Sequence, residues 1–257
     1  MNDYLSIYGE EFTSRLILGS SDISSVDKAI DGLKFCNSQI VTVSFRKNGT
    51  LQKSGMEYLD RLKELNIRIL PHTAGCKSIQ EVITLAEASR DFFETNWLKL
   101  EIIGDEANFQ PDPIKLLTSA ETLLTKGFKV LPYCTDDLVI CKQLVKLGCE
   151  VVMPWASPMG TGKGVVNPFA LQLIRQELPN TTLIIDAGIG KPSQAAQAME
   201  LGYDAIIVDT AITKSSNPQS MARAMALAAE SGRLGFFSGF MQESNVPRGN
   251  IPNFSIS

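Results

Sequence analysis

Short apolar runs, each followed by a longer amphipathic stretch, recur along the whole chain. The runs are Arg15–Gly19, Gln39–Phe45, Ile67–Thr73, Trp97–Ile103, Lys129–Cys134, Glu150–Trp155, Thr182–Gly188 and Ala205–Ala211. A strand buried on both faces reads as a nearly continuous apolar run, the state of parallel strands covered by helices. Helical spacing of Val82, Ile83, Ala86 and Ala88 predicts a helix over Ile79–Phe93, and similar spacing predicts Pro113–Lys126 and Leu138–Leu147. Asp136 and Asp137 stand before the third of these, and Gly148 occupies a C-terminal glycine position. The stretches from Ser193 and from Ser220 are expected to end in the same way, at Gly202 and Gly232. Strand–helix alternation on this scale in 257 residues predicts an α/β fold, a single (β/α)8 (TIM) barrel, whose usual length is about 250 residues. The competing open, doubly wound sheet would want G-x-G-x-x-G after its first strand, and none stands there. Residues 1–243 are assigned to the barrel, and the polar stretch 244–257, rich in Asn, Ser and Pro, to a flexible tail.

Composition narrows the function. Lys and Arg total 24 against 28 Asp and Glu, a formal charge of -4, which argues against nucleic acid as a partner. No apolar run reaches the ~20 residues that span a bilayer, and Met1 to Phe12 lacks the basic start and apolar stretch of a signal peptide. A cytoplasmic protein with no membrane partner is expected. The five cysteines form no C-x-x-C pair, so reduced thiols are expected rather than a disulfide framework. His72 is the sole histidine. That disfavours a His-based metal site or a Ser-His-Asp triad, and no metal or cofactor is expected. Acid–base chemistry then falls to Lys, Asp, Glu and Cys.

The most informative residue is Lys99. Alternation along a strand puts Leu98, Leu100 and Ile102 on one face and Trp97, Lys99 and Glu101 on the other. With the leucine face under the helices, Lys99 and Glu101 project into the barrel, about 6.5–7 Å apart along the strand. One reading is a buried ion pair that fixes strand register. The other is an amine nucleophile: burial lowers the lysine pKa, and a neutral amine attacks a ketone to form an imine, with Glu101 shuttling protons. Asp186, at the end of the seventh run, is either a loop-bracing carboxylate or a second acid–base group on the face where barrel enzymes carry their sites. Gly188 and Gly190 follow the seventh strand and Asp209-Thr210-Ala211 the eighth. These are loops where barrels often hold a phosphate on backbone N–H groups. Gly160-Thr161-Gly162-Lys163-Gly164 lacks P-loop spacing and reads as a mobile lid.

The strings Asn96-Trp97-Leu98-Lys99-Leu100-Glu101, Val130-Leu131-Pro132-Tyr133-Cys134, Val152-Met153-Pro154 and Asp186-Ala187-Gly188-Ile189-Gly190 resemble those of thiazole synthases of thiamine biosynthesis. So do the run from Pro192 to Glu200 and Thr210-Ala211-Ile212, and the likeness extends in order from about Phe12 to about Ser238. The resemblance implies a barrel enzyme in which 1-deoxy-D-xylulose 5-phosphate forms an imine with Lys99. It implies proton transfer by Glu101 and Asp186, and phosphate binding at Gly160, Ala187, Gly188, Asp209 and Thr210. Sulfide would come from the C-terminal thiocarboxylate of a small sulfur-carrier protein, and dehydroglycine from a separate enzyme. A homodimer or homotetramer is implied as well.

Two residues depart from the family pattern. Asp209 stands where Asn is usual, and a carboxylate repels a phosphate dianion unless it points away or pairs with a cation such as Lys163. His72 stands where the family tends to carry Asn, and reads as a satisfied polar residue under the loops. Two alternatives remain: another imine-forming barrel acting on a sugar phosphate, as an aldolase does, and an inactive barrel kept as a scaffold.

Overall fold

The structure, a computed structural model, describes residues 3–20, 26–44 and 53–246. The chain opens with a hairpin absent from the sequence reading, β1 (Leu5–Ile7) against β2 (Glu10–Phe12), turned by Tyr8 and by Gly9 at φ +78°. The alternation follows: β3 (Leu16–Gly19), α1 (Val26–Cys36), β4 (Ile40–Ser44), α2 (Lys53–Glu64), β5 (Arg68–His72), α3 (Ile79–Phe93) and β6 (Trp97–Leu100). A second hairpin, β7 (Ile103–Asp105) with β8 (Gln110–Pro111), precedes α4 (Pro113–Thr125). The remainder is β9 (Lys129–Cys134), α5 (Leu138–Leu147), β10 (Val151–Pro154), α6 (Pro168–Glu177), β11 (Thr182–Asp186), α7 (Pro192–Glu200), β12 (Ala205–Val208), α8 (Thr210–Thr213) and α9 (Pro218–Ser238). Strands β3, β4, β5, β6, β9, β10, β11 and β12 close in that order into a barrel, every pair parallel. The fold is the predicted (β/α)8 barrel.

Helix ends follow local chemistry. Ser78 and Glu81 form a capping box on α3. Asp112, Asp137, Asn167 and Asn217 accept backbone N–H groups at the starts of α4, α5, α6 and α9. Gly148 ends α5 in the left-handed conformation, at φ +110°. Gly232 was expected to end its helix, yet α9 runs through it to Ser238. The reason is packing: a Cβ on Gly232 would lie 2.3 Å from the carbonyl oxygen of Ala196 in α7. The expected strand Trp97–Ile103 is also shorter. Its register ends at Leu100 because the Thr73 hydroxyl takes the sheet partner's place at Glu101, accepting its N–H at 2.8 Å and donating to its carbonyl at 2.7 Å.

The two faces of each strand separate two cores. Leu98, Leu100, Val130, Val152 and Ile185 pack outward under the helices. Ile17, Leu70, Trp97, Leu131, Met153 and Ile184 fill the barrel interior. The N-terminal hairpin caps that interior from below, with Leu5, Ile7 and Phe12 joined to the inner cluster. Tyr8 and Phe12 meet Trp97 edge-on, and the Tyr8 hydroxyl donates to the carbonyl of Val130 at 2.7 Å. Each apolar side chain so buried stabilises by about 1.5–3 kcal/mol. Asp3 pairs with Arg15 and Arg233, and Asp204 pairs with Arg175 and Arg233, tying the segment before the hairpin to α9 and to the start of β12 beneath the barrel.

No helix among the described residues is long and apolar enough to cross a membrane. Of the expected tail, residues 244–246 are exposed and 247–257 lie outside the described residues, as does the expected strand end at Phe45.

Candidate active site

Strand β6 delivers Lys99 to the C-terminal end of the barrel interior, two residues above the Trp97 layer. Lys99 is 5% exposed, Glu101 2% and Asp186, from the end of β11, 3%. The Lys99 Nζ lies 3.0 Å from Glu101 Oε1 and 2.7 Å from Asp186 Oδ2. A lone buried ammonium would shed its proton, and that was the expectation for Lys99. The structure reverses it. Burial works against the charge, but Asp186 and Glu101 together hold the ammonium above the usual lysine range. Burial also pushes Asp186 up to about 6, against the pull of Lys99 and with Glu101 adding to the rise. The nearest acceptor for a Lys99 proton is therefore a carboxyl that titrates just below neutral pH.

Above this cluster lies a cavity of about 480 Å³ whose wall includes Lys99, Glu101, Gly160, Asp186, Ala187, Gly188, Asp209 and Thr210. These are all the site residues singled out in the sequence, gathered at the C-terminal strand ends. Ala187 and Gly188 both take positive φ, +80° and +89°. A side chain on Gly188 would run into the backbone of Ser157, at 2.5 Å from its N. The Gly160–Gly164 segment, expected as a lid, is instead fastened to the loop after β11. Gly164 N–H donates to the carbonyl of Gly188 at 2.8 Å, and a Cβ on Gly190 would lie 2.6 Å from Gly162 Cα. Gln194 completes the seam: its Oε1 accepts from Gly190 N–H at 2.8 Å and its Nε2 donates to the carbonyl of Gly162 at 3.1 Å.

Sequence reading missed Gln194 and Thr73. Gln194 carried a signal, since a Gln three residues into a helix start is a capping residue. Thr73 carried none, because its partner at Glu101 comes from the next strand. His72 pairs in register with Lys99 and lines the cavity, its Nδ1 accepting from Ala74 N–H at 3.3 Å. The Asp209 carboxylate turns toward β3, where a Cβ on Gly19 would lie 2.6 Å from its Oδ2. Its Oδ1 is buried with no hydrogen-bond partner among the described residues, so it makes no such bond to Lys163. Cys134 faces outward, 3.8 Å from Cys141 Sγ, and both thiols are buried. Trp155 donates to Asp136 at 2.8 Å and is not part of the cavity wall.

A closed parallel barrel with a charged cluster and a glycine-walled cavity at its C-terminal strand ends is the architecture of a barrel enzyme. Comparison with known proteins gives the particular family. The model of the thiazole biosynthesis protein ThiG family matches residues 6–252. Thiazole synthase of Ralstonia pickettii (strain 12J) is 46% identical over 251 residues, 97% of this chain and 91% of that one. Thiazole synthase of Neisseria gonorrhoeae (strain ATCC 700825 / FA 1090) is 46% identical over 249 residues, 96% and 95% of the two chains. The crystal structure of the Amycolatopsis orientalis BexX/CysO complex superposes with a TM-score of 0.86 at 28% identity, covering 96% of this chain and 100% of that one. The chain belongs to the thiazole biosynthesis protein ThiG family, and with it to the thiazole-forming enzymes of thiamine biosynthesis.

Proposed function

We propose that Lys99 is the amine that condenses with the ketone of 1-deoxy-D-xylulose 5-phosphate. On this reading the chain builds the thiazole phosphate carboxylate from that imine, dehydroglycine and sulfide delivered as the C-terminal thiocarboxylate of a small sulfur-carrier protein. The observation that carries it is the pairing of Lys99 Nζ with two buried carboxylates at 3.0 and 2.7 Å. Asp186 accepts a proton from the ammonium, the neutral amine adds to the carbonyl carbon, and the hydroxyl of the resulting carbinolamine leaves as water once Asp186 has protonated it, so that the C–N bond becomes the imine. Glu101, 3.0 Å from Lys99 Nζ, stands beside the imine nitrogen and moves protons in the later steps.

The phosphate lies against the loop backbone at Gly160, Ala187, Gly188, Asp209 and Thr210, where small residues and positive φ bring peptide N–H groups close to an anion. The Asp209 side chain turned toward Gly19 supports this placement, because the residue then meets the phosphate through its backbone. BexX, solved as a complex with CysO, is a precedent for a partner on this fold. Leu234, Phe237, Phe240 and Met241, all at least 60% exposed at the end of α9 and just beyond it, support a homodimer or homotetramer. Five buried free cysteines suit the reducing cytoplasm.

Incubation with the sugar phosphate, reduction with cyanoborohydride and peptide mapping by mass spectrometry test the reading. The expected result is a reduced adduct on Lys99. The rate of trapping falls as pH drops through about 6, because protonated Asp186 no longer accepts the lysine proton. Thiazole forms only when dehydroglycine and carrier thiocarboxylate are added. An adduct at another residue, or turnover of the sugar phosphate without the carrier, overturns it in favour of a different imine-forming barrel.

A further inference from the structure

Tyr133 stands on β9, beside the Lys99 strand, and points into the barrel interior. It is 0% exposed, and its hydroxyl has no hydrogen-bond partner among the described residues. Its ring centroid lies 6.0 Å from Lys99 Nζ. It takes no part in the cavity wall, and by register it stands level with Glu101, two residues beyond Leu131, the partner of Lys99. Burying a hydroxyl unpaired is unfavourable, and phenylalanine would fill the same space without that cost. The charges around it are those of the reaction centre: burial first, then Asp186, Glu101 and Cys134, push the hydroxyl above the usual tyrosine range. The phenol is thus a neutral donor throughout the working pH range, never a base. In the resting arrangement Lys99 Nζ sits 3.0 Å from Glu101 Oε1 and 2.7 Å from Asp186 Oδ2, and that Asp186 oxygen, like the phenol, has no hydrogen-bond partner among the described residues.

We propose that Tyr133 is a positioning donor for Asp186. When Lys99 Nζ becomes the imine nitrogen it withdraws from Asp186, and the Tyr133 O–H takes its place on that carboxylate. No bond is made or broken at Tyr133. Asp186 has by then returned to the departing water the proton that it took from Lys99, and the phenol keeps it ionised and aimed for the next proton abstraction. The inference rests on Lys99 being the imine lysine. The other titratable or charged groups that bear on Asp186 are Lys99 of β6, Glu101 just beyond that strand, Asp209 after β12 and Cys134 of β9, while His72 of β5 lines the same cavity.

The test compares wild-type enzyme, Tyr133→Phe and enzyme carrying 3-fluorotyrosine at position 133. Melting temperature, cyanoborohydride trapping on Lys99, and kcat and KM for the sugar phosphate are followed across pH. For Tyr133→Phe the expected result is an equal or higher melting temperature, an unchanged KM and a kcat lowered about tenfold, the scale of one hydrogen bond to a charged acceptor. The acid limb of kcat moves up in pH, since a carboxylate that loses a donor holds its proton more tightly. The fluorinated residue, a stronger donor in the same space, moves that limb down, and it decides the matter should the phenylalanine variant fail to fold. A merely structural hydroxyl moves neither limb. Wild-type trapping on Lys99 together with an unmoved limb in the variants overturns the inference alone. Absence of any wild-type adduct overturns the imine reading and this inference with it.

Discussion

Lys99→Ala is expected to abolish reductive trapping and to slow thiazole formation by at least about 10³-fold, the scale on which removal of a covalent nucleophile acts. The variant also leaves Glu101 and Asp186 buried without the cation that sits 3.0 and 2.7 Å from them. Removing one partner of a buried ion cluster costs about 3–5 kcal/mol, so lost activity alone would not separate chemistry from folding. Lys99→Arg separates them. Its guanidinium keeps the charge and the pairing but stays protonated and does not form an imine. The arginine variant is expected to stay folded by circular dichroism and thermal melting while trapping no sugar phosphate. Wild-type rates in Lys99→Arg would make Lys99 a register-fixing ion pair and end the imine reading.

Gly188→Ala is expected to damage both stability and phosphate affinity. The residue sits at φ +89°, and a methyl group there would lie 2.5 Å from Ser157 N and 2.8 Å from Ser157 O, backbone atoms with no rotamer to escape into. The left-handed conformation contributes about 1–2 kcal/mol and overpacking about 1–3 kcal/mol, so a loss of ~2–5 kcal/mol is expected in urea unfolding. The loop must shift to relieve the contact. That displaces the Gly164 N–H bonded to the Gly188 carbonyl, and KM for the sugar phosphate rises. Gly160→Ala is the control for the unfolding measurement: its φ is +77°, but nothing lies within 4 Å of the added methyl, so only the conformational penalty applies to stability. Equal effects in the two variants would remove the steric argument.

The parts of this molecule that were legible in the sequence are those set by local pattern. The strand runs and the helix starts at Ile79, Pro113 and Leu138 follow from apolar periodicity and, before Leu138, from the capping acid Asp137, and with them the inward placement of Lys99 and Glu101. What was not legible depends on contacts between distant residues. The N-terminal hairpin is three residues on each side, too short to show a period, and is held by Trp97 and Val130. Gly232 reads as a helix end until α7 is known to press against it. The glycine segment after β10 has the composition of a lid, and only the Gln194 seam shows that it is tied down. The charge state of Lys99 was misjudged for the same reason: Asp186 lies 87 positions further along the chain, and only barrel closure brings it within 2.7 Å.

The hairpin beneath the barrel has a consequence for traffic. Leu5 and Ile7, each 1% exposed, and Trp97, 3% exposed, leave the lower end solid. Among the described residues the cavity above Lys99 is therefore closed toward the hairpin, and its ligands reach it from the side of the C-terminal strand ends. If the chain condenses a sugar phosphate with two further reactants as proposed, all of them approach from the side of the strand ends, and a product still seated there is expected to slow the entry of the next sugar phosphate.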